Sequence, residues 1–270
     1  MAESDAGNAE RLDALFPQPE PPACPEGWSV GPPTFVGVGA PRCGTTWWHR
    51  MVVRHPDVCF VRGLHVKEVH FFGPGGSERE TLSAEEIARY HSYFPRSPDL
   101  QNVGEWTPDY MYSRALPRQL AEAAPDARML VMLRDPVDRF ASGFTRGRRL
   151  AAESGIGGAD AELAARNVES GMYFEPVAML LEACGRDRVL ILQYERCRAQ
   201  YPAELRRTHE FLGLDPDRGP APPVREPRER SLPAAELERL AERYAPDVRK
   251  LADLLPELDV AWWPNVARLV

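Results

Sequence analysis

Short runs of apolar and β-branched residues alternate along the chain with longer stretches in which apolar positions recur every three to four residues. The short runs, at 34–38, 58–61, 101–105, 128–133 and 189–193, have the length and flanking punctuation of buried strands. The longer stretches, at 45–54, 84–93, 113–123 and 136–149, predict helices, each opening on a capping residue or a proline. A last helix starts at Ala234 and meets Pro246, where a bend is expected. Strands and helices taking turns in this way predict an α/β fold of three layers, with a central parallel sheet flanked by helices. Before Thr34 the pattern is missing. Residues 1–33 are polar and then proline-rich (PQPEPPACPEG), which predicts a loosely held leader ahead of a single domain over residues 34–270. ESGIGGADAE predicts a flexible break, and LDPDRGPAPPVREPRERSLP a long loop before the last helix.

Composition narrows the field. At 270 residues and 43% hydrophobic content, the chain can bury one sizeable core. A formal net charge of -7 argues against a partner that is nucleic acid or anionic membrane, since both call for a basic field. Five cysteines, Cys24, Cys43, Cys59, Cys184 and Cys197, form neither a close pair nor a metal-ligand cluster. No metal is therefore expected, and a reducing, cytoplasmic setting is. MAESDAGNAE lacks the basic start and apolar run of a signal peptide, and no later stretch reaches membrane-spanning length. Of 33 basic residues only Lys67 and Lys250 are lysine, so arginine is the default cation of this chain.

Two motifs carry candidate chemistry. FVGVGAPRCGTTWW sets a buried strand before a glycine turn and a helix opening on Thr45 and Thr46, a P-loop-like arrangement whose backbone N–H groups and helix dipole converge on an anion. A nucleoside-triphosphate loop would place lysine after Gly44; Thr45 stands there instead, and Arg42 lies inside the loop. Read blandly, the glycines only make a tight turn. In ARMLVMLRDPVDRFASGF, a strand ends at Arg134, Asp135 and Pro136 start a helix, and Ser142 follows two turns later. A guanidinium and a hydroxyl suit a phosphate. The competing reading makes Asp135 the Mg²⁺ ligand of a nucleotide kinase; the missing lysine and the Asp-Pro cap weigh against it.

Taken together these motifs resemble the sulfotransferases that use 3′-phosphoadenosine 5′-phosphosulfate (PAPS), which carry a Pro-Lys-x-Gly-Thr-Thr-type loop; Arg42 stands where the family usually has lysine. The resemblance implies that Arg42, Cys43, Gly44, Thr45 and Thr46 hold the 5′ end of PAPS, that Trp47 stacks on adenine, and that Arg134 and Ser142 grip the 3′-phosphate. KEVHFF, at 67–72, resembles the heparan sulfate 3-O- and N-sulfotransferase-like branch. That likeness implies Glu68 as general base, with His70 supporting it or touching the acceptor and Lys67 beside it. GEWTPDYMYS resembles the branch's acceptor-cleft segment, which implies Glu105, Trp106 and Tyr110 as acceptor-facing and Glu105 as a second candidate base. Trp106 replaces a lysine there, implying a less anionic acceptor. PVREPRERSLP resembles the family's closing basic loop, which implies Arg225, with Arg228 and Arg230 as alternatives, reaching over the nucleotide.

The resemblance spans Phe35 to Trp262 and implies in-line sulfonate transfer from PAPS to a hydroxyl or amine of a carbohydrate or small natural product. The product would be 3′-phosphoadenosine 5′-phosphate (PAP), with no metal required. The rival readings are a P-loop kinase and a non-catalytic nucleotide-binding protein of the same fold.

Overall fold

The structure, a computed structural model, describes residues 18–72, 81–154, 167–219 and 232–270, with the side chains of 146–154 excepted. The strands Phe35–Gly39, Gly104–Trp106, Arg128–Leu133 and Val189–Gln193 make one parallel sheet. Apart from Arg128 every residue in them is buried, as a sheet covered on both faces requires. In space Gly104–Trp106 lies at one side, followed by Phe35–Gly39, Arg128–Leu133 and Val189–Gln193. Gly37 pairs with Trp106, and a Cβ there would lie 2.0 Å from the indole, so glycine is what makes room for the ring. Leu130, Val131, Met132 and Leu133 form the middle of the core with Trp48, Tyr110 and Tyr173.

Among the described residues the α-helices are Thr45–Val52, Ala84–His91, Leu116–Ala123, Pro136–Ser154, Phe174–Cys184, Tyr194–Ala199, Tyr201–Leu212 and Ala234–Leu254. Ser83 and Glu86 close a capping box at the second of these. The last runs on through Pro246 as one element. The sequence pattern misses Phe174–Cys184 and the two helices after the final strand. It also sets 113–123 too early, because a 3₁₀ turn, Pro108–Tyr112, intervenes.

Two further expectations are corrected. The 58–61 run is not a strand: Val58 makes one parallel bridge to Asn102, and the Cys59 N–H donates to the Asn102 carbonyl at 2.7 Å. The His65 ring then accepts the Val61 N–H at 2.9 Å and donates to the Pro95 carbonyl at 2.7 Å, which turns the chain away. Nor is the leader loose from residue 18 onward. Ser29–Val30 pairs antiparallel with Pro95–Arg96, Trp28 packs against the core, and the Tyr93 hydroxyl donates to the Pro19 carbonyl at 2.6 Å. The expected break at 153–162 lies beyond residue 154 outside the described residues, as does most of the 214–233 loop.

All four strands run out on one edge of the sheet. Their next residues are the loop after Gly39, then Thr107, Arg134 and Tyr194. In parallel sheets this carboxyl edge is where ligands bind.

Candidate functional site

The loop after the opening strand is shaped for an anion. Arg42 has φ 69° and Gly44 φ 90°, and left-handed residues so close together gather successive N–H groups on one side. A Cβ at Gly44 would sit 2.5 Å from the Tyr194 ring, so only glycine fits. Thr45 and Thr46 open the helix, where the first N–H groups lack intrahelical acceptors and the dipole is positive. Thr46 is exposed and Thr45 is buried. The Cys43 thiol faces inward, 3.5 Å from the Tyr173 hydroxyl, and burial pushes it up to about 11; at this position only the backbone is left to face a ligand. Trp47 is half-buried in an aromatic cluster, 5.0 Å from Trp48, 6.1 Å from Tyr194 and 5.9 Å from Tyr201 between ring centres.

The Arg134 corner stands beside it. The guanidinium lies over the Tyr194 ring at 4.8 Å, with Asp138 at 3.8 Å and Glu195 at 4.0 Å. Its Nε is buried without a hydrogen-bond partner among the described residues. Asp135 caps the next helix as its sequence position predicts: Oδ1 accepts the N–H groups of Val137 (2.9 Å) and Asp138 (3.3 Å), and Oδ2 that of Asn265 (3.0 Å). Ser142 is buried on the same helix. Glu195 accepts the Asp135 N–H at 3.1 Å and the Trp263 indole N–H at 3.0 Å, and burial pushes its carboxyl up to about 7.

Two residues absent from the sequence reading join loop and corner. The Tyr173 hydroxyl donates to the Arg134 carbonyl at 3.1 Å while touching Cys43. Arg139, on the helix that Asp135 caps, donates through Nε to the Pro41 carbonyl at 3.2 Å and through Nη1 to the Asn167 carbonyl. Its place one turn after Asp135 and one turn before Ser142 was the available signal, since that spacing puts all three on one side of the helix.

On the acceptor side, the KEVHFF segment is fixed through its backbone. Glu105 Oε2 accepts the Val69 N–H at 3.1 Å, Thr107 Oγ1 accepts those of Val69 and His70 at 3.0 and 3.3 Å, and the Tyr110 oxygen accepts that of Phe71 at 2.8 Å. Glu105 also receives hydroxyl bonds from Thr107 (2.6 Å), Tyr90 (3.0 Å) and Tyr110 (3.1 Å). Trp106 donates its indole N–H to the Gly39 carbonyl at 3.0 Å. Glu105, Trp106 and Tyr110 are each 0% exposed, which corrects their reading as the cleft wall: they are the scaffold beneath it, and Glu105 has no open face from which to act as a base.

Glu68 is held on top of that scaffold. Its Oε1 pairs with Lys67 and its Oε2 lies 3.5 Å from His70 Nε2. Burial pushes the carboxyl up, but the His70 hydrogen bond and the Lys67 charge outweigh it and hold the group at about 2. Burial lowers Lys67, against the pull of Glu68. Asp109, also absent from the sequence reading, lies within electrostatic reach of His70, Glu68, Lys67 and Arg139, and burial raises its carboxyl. Arg225, Arg228 and Arg230 lie outside the described residues. Among the described residues no group of three or more His, Cys, Asp or Glu side chains is placed to hold a metal, and no helix is long and apolar enough to cross a membrane.

Comparison with known proteins gives a consistent result. A family model described as a sulfotransferase domain matches residues 32–230. The chain is 30% identical over 192 residues to human heparan sulfate glucosamine 3-O-sulfotransferase 6, covering 67% of this chain and 52% of that protein. It is 27% identical over 194 residues to the mouse 3-O-sulfotransferase 3A1, covering 67% and 46%. The chain thus spans about half the length of these curated relatives. Among solved structures, a sulfotransferase from Alicyclobacillus acidocaldarius superposes with a TM-score of 0.70 at 26% identity, over 86% of this chain and 99% of that one. A Mycobacterium avium sulfotransferase shares the fold at a TM-score of 0.56 and 13% identity, over 93% and 82%.

Proposed function

The chain belongs to the sulfotransferase domain family, and from that premise we propose that it transfers a sulfonate from PAPS to a hydroxyl or amine of a carbohydrate or small natural product. One observation carries the reading: the anion-receptive loop and the Arg134 corner are joined through Tyr173 and Arg139, so their separation is fixed by the fold. A ligand with anionic groups at both ends suits such a pair. The residues fit PAPS, because a buried guanidinium nitrogen of Arg134 that makes no hydrogen bond among the described residues can take an anion, as can the helix-opening N–H groups at Thr45 and Thr46. Arg42, Thr45 and Thr46 would hold the 5′ end, and Arg134 with Ser142 the 3′-phosphate.

PAPS would supply an activated sulfonate. As the acceptor oxygen or nitrogen bonds to sulfur, its proton passes to Glu68; the bond from sulfur to the 5′-phosphate oxygen breaks, and PAP leaves. Arg42 and the loop N–H groups would meet the charge growing on that phosphate. Arg42 keeps its charge throughout, so it serves as a fixed cation rather than a proton donor. Glu68, held at about 2, is ionised at neutral pH but weakly basic. Movement of the Lys67 ammonium from Glu68 toward the leaving group would strengthen the base at the moment it is needed.

The kinase alternative loses support at Asp135, whose oxygens are taken by backbone N–H groups. Its test is thermal: PAP should raise the melting temperature, by about 2.7 kcal/mol of stabilisation at 100 times Kd, while ATP with Mg²⁺ should not. The reverse result would favour the kinase. All five cysteines are free thiols, which supports placing this chemistry in the cytoplasm.

A further inference from the structure

The segment that carries Glu68 is held by hydrogen bonds that lead to one buried carboxylate. The Trp106 N–H donates to the Lys67 carbonyl at 2.7 Å, which lays the segment against the end of the Gly104–Trp106 strand. Beyond that point Thr107 Oγ1 accepts the N–H groups of Val69 and His70, so its own hydrogen is left for Glu105 Oε2. The Tyr110 oxygen accepts the Phe71 N–H and gives its hydrogen to Glu105 Oε1. The Val69 N–H is a second donor at Oε2, and the Tyr90 hydroxyl, from the Ala84–His91 helix, a second at Oε1. Each oxygen of Glu105 therefore accepts two hydrogen bonds, which a carboxylate can do and an amide of the same shape cannot. A glutamine nitrogen at the Oε2 place would face the Val69 N–H and the Thr107 hydrogen; at the Oε1 place it would face the hydrogen of Tyr110.

The backbone gives a second, independent observation. Among the described residues only Arg42 and His70 are non-glycine residues with positive φ, and His70 has φ 52°. A side chain in this region persists where its surroundings hold it there. Here three successive N–H groups, at 69, 70 and 71, are each bonded to Glu105 or to a hydroxyl that Glu105 orients. His70 is also the residue whose Nε2 stands 3.5 Å from Glu68 Oε2. Released to negative φ, its ring would leave that place.

We propose that Glu105 is a positioning residue for the base: its carboxylate, through Thr107 and Tyr110, keeps His70 left-handed and so holds Glu68 where it meets the acceptor proton. The inference rests on the sulfonate-transfer reading and deepens it. Glu105, itself 0% exposed, touches no reactant and acts only through the segment above it.

The test combines amide exchange with turnover. By NMR, the Val69 and His70 N–H groups should exchange faster in Glu105→Gln than in the parent, with strand 128–133 unchanged. Turnover is read as sulfate released from labelled PAPS with water as the acceptor, so no acceptor need be assigned. Glu105→Gln should lower kcat by about 100-fold, the cost of a misplacement of about 1 Å, with the KM for PAPS and the stabilisation by PAP unchanged. In a Glu68→Gln background the same change should cost nothing further, because the group it positions is gone. Thr107→Val should behave as Glu105→Gln does, and Thr107→Ser, which keeps the hydroxyl, should recover most of the loss. Should Glu105→Gln fail to fold, the Thr107 pair decides by the same criteria. Parent-like kcat, parent-like exchange at 69 and 70, or an equal further loss in the Glu68→Gln background overturns the inference. A parent that PAP does not stabilise, or that releases no sulfate, defeats the sulfonate-transfer reading instead, and the role of Glu105 with it.

Discussion

Around Arg134 the fold fixes side chains and backbone alike, whereas around Glu68 it fixes the backbone and leaves the charged tips to one another. At the Arg134 corner, Asp135 is bonded by Asn265, Glu195 by Trp263, and the Arg134 carbonyl by Tyr173, all from distant parts of the chain. On the acceptor side, Glu105, Thr107 and Tyr110 anchor the N–H groups of Val69, His70 and Phe71, but Lys67, Glu68 and His70 bond chiefly among themselves. The contrast fits a division of labour. On the proposed function, a nucleotide with invariant phosphates would be met by a prearranged corner, while the tips that would face the acceptor could rearrange once it arrives.

The sharpest way to break that comparison is Glu68→Gln. It should lower kcat by about 10²- to 10⁴-fold, the usual worth of a positioned general base, and leave PAP affinity unchanged. A parallel loss of PAP binding would merge the two halves into one.

Glu195 tests the Arg134 corner through pH. Its carboxyl, ordinarily near 4.5, is pushed by burial to about 7, so the fold favours its protonated form. The resulting stability is present in full below about 4.5 and is lost as pH rises through 7. Glu195→Gln, neutral at every pH, should therefore gain on the parent by about 1–3 kcal/mol between pH 4.5 and 8, read from denaturant midpoints. A difference independent of pH would mean that the buried carboxylate does not titrate as described. A smaller effect is expected of Tyr173→Phe, which removes the hydroxyl linking Arg134 to the loop: about 1 kcal/mol of stability, together with weaker PAP binding by calorimetry. Unchanged PAP affinity would show that the corner holds its place without that link.

The sequence made the half around Arg134 more readable than the half around Glu68, for physical reasons. The strands 128–133 and 189–193 match their observed bounds because burial on both faces leaves unbroken apolar runs. Arg134 and Asp135 follow directly from a strand end and a helix cap. The Phe174–Cys184 helix was hidden because Val177 to Leu181 are all apolar, which masks the stripe of Val177, Leu180 and Cys184 that is buried. Tyr194–Ala199 begins straight after a strand, and its cap position, Gln193, makes no side-chain capping bond, so no local signal marks it. Glu105 could not be told from a surface acid, since its partners Val69 and Tyr90 lie 36 and 15 residues away. Asp109 was invisible for the same reason: only the sheet brings its turn beside the 67–70 segment.

The central claim, that Arg134 reads the 3′-phosphate at a fixed distance from the loop, is tested most directly by calorimetry of PAP and adenosine 5′-phosphate with the parent and Arg134→Ala. The account predicts that the parent prefers PAP by about 10- to 100-fold, the worth of charged hydrogen bonds, and that the variant binds both ligands alike. A variant that weakens both equally and keeps the preference would contradict it.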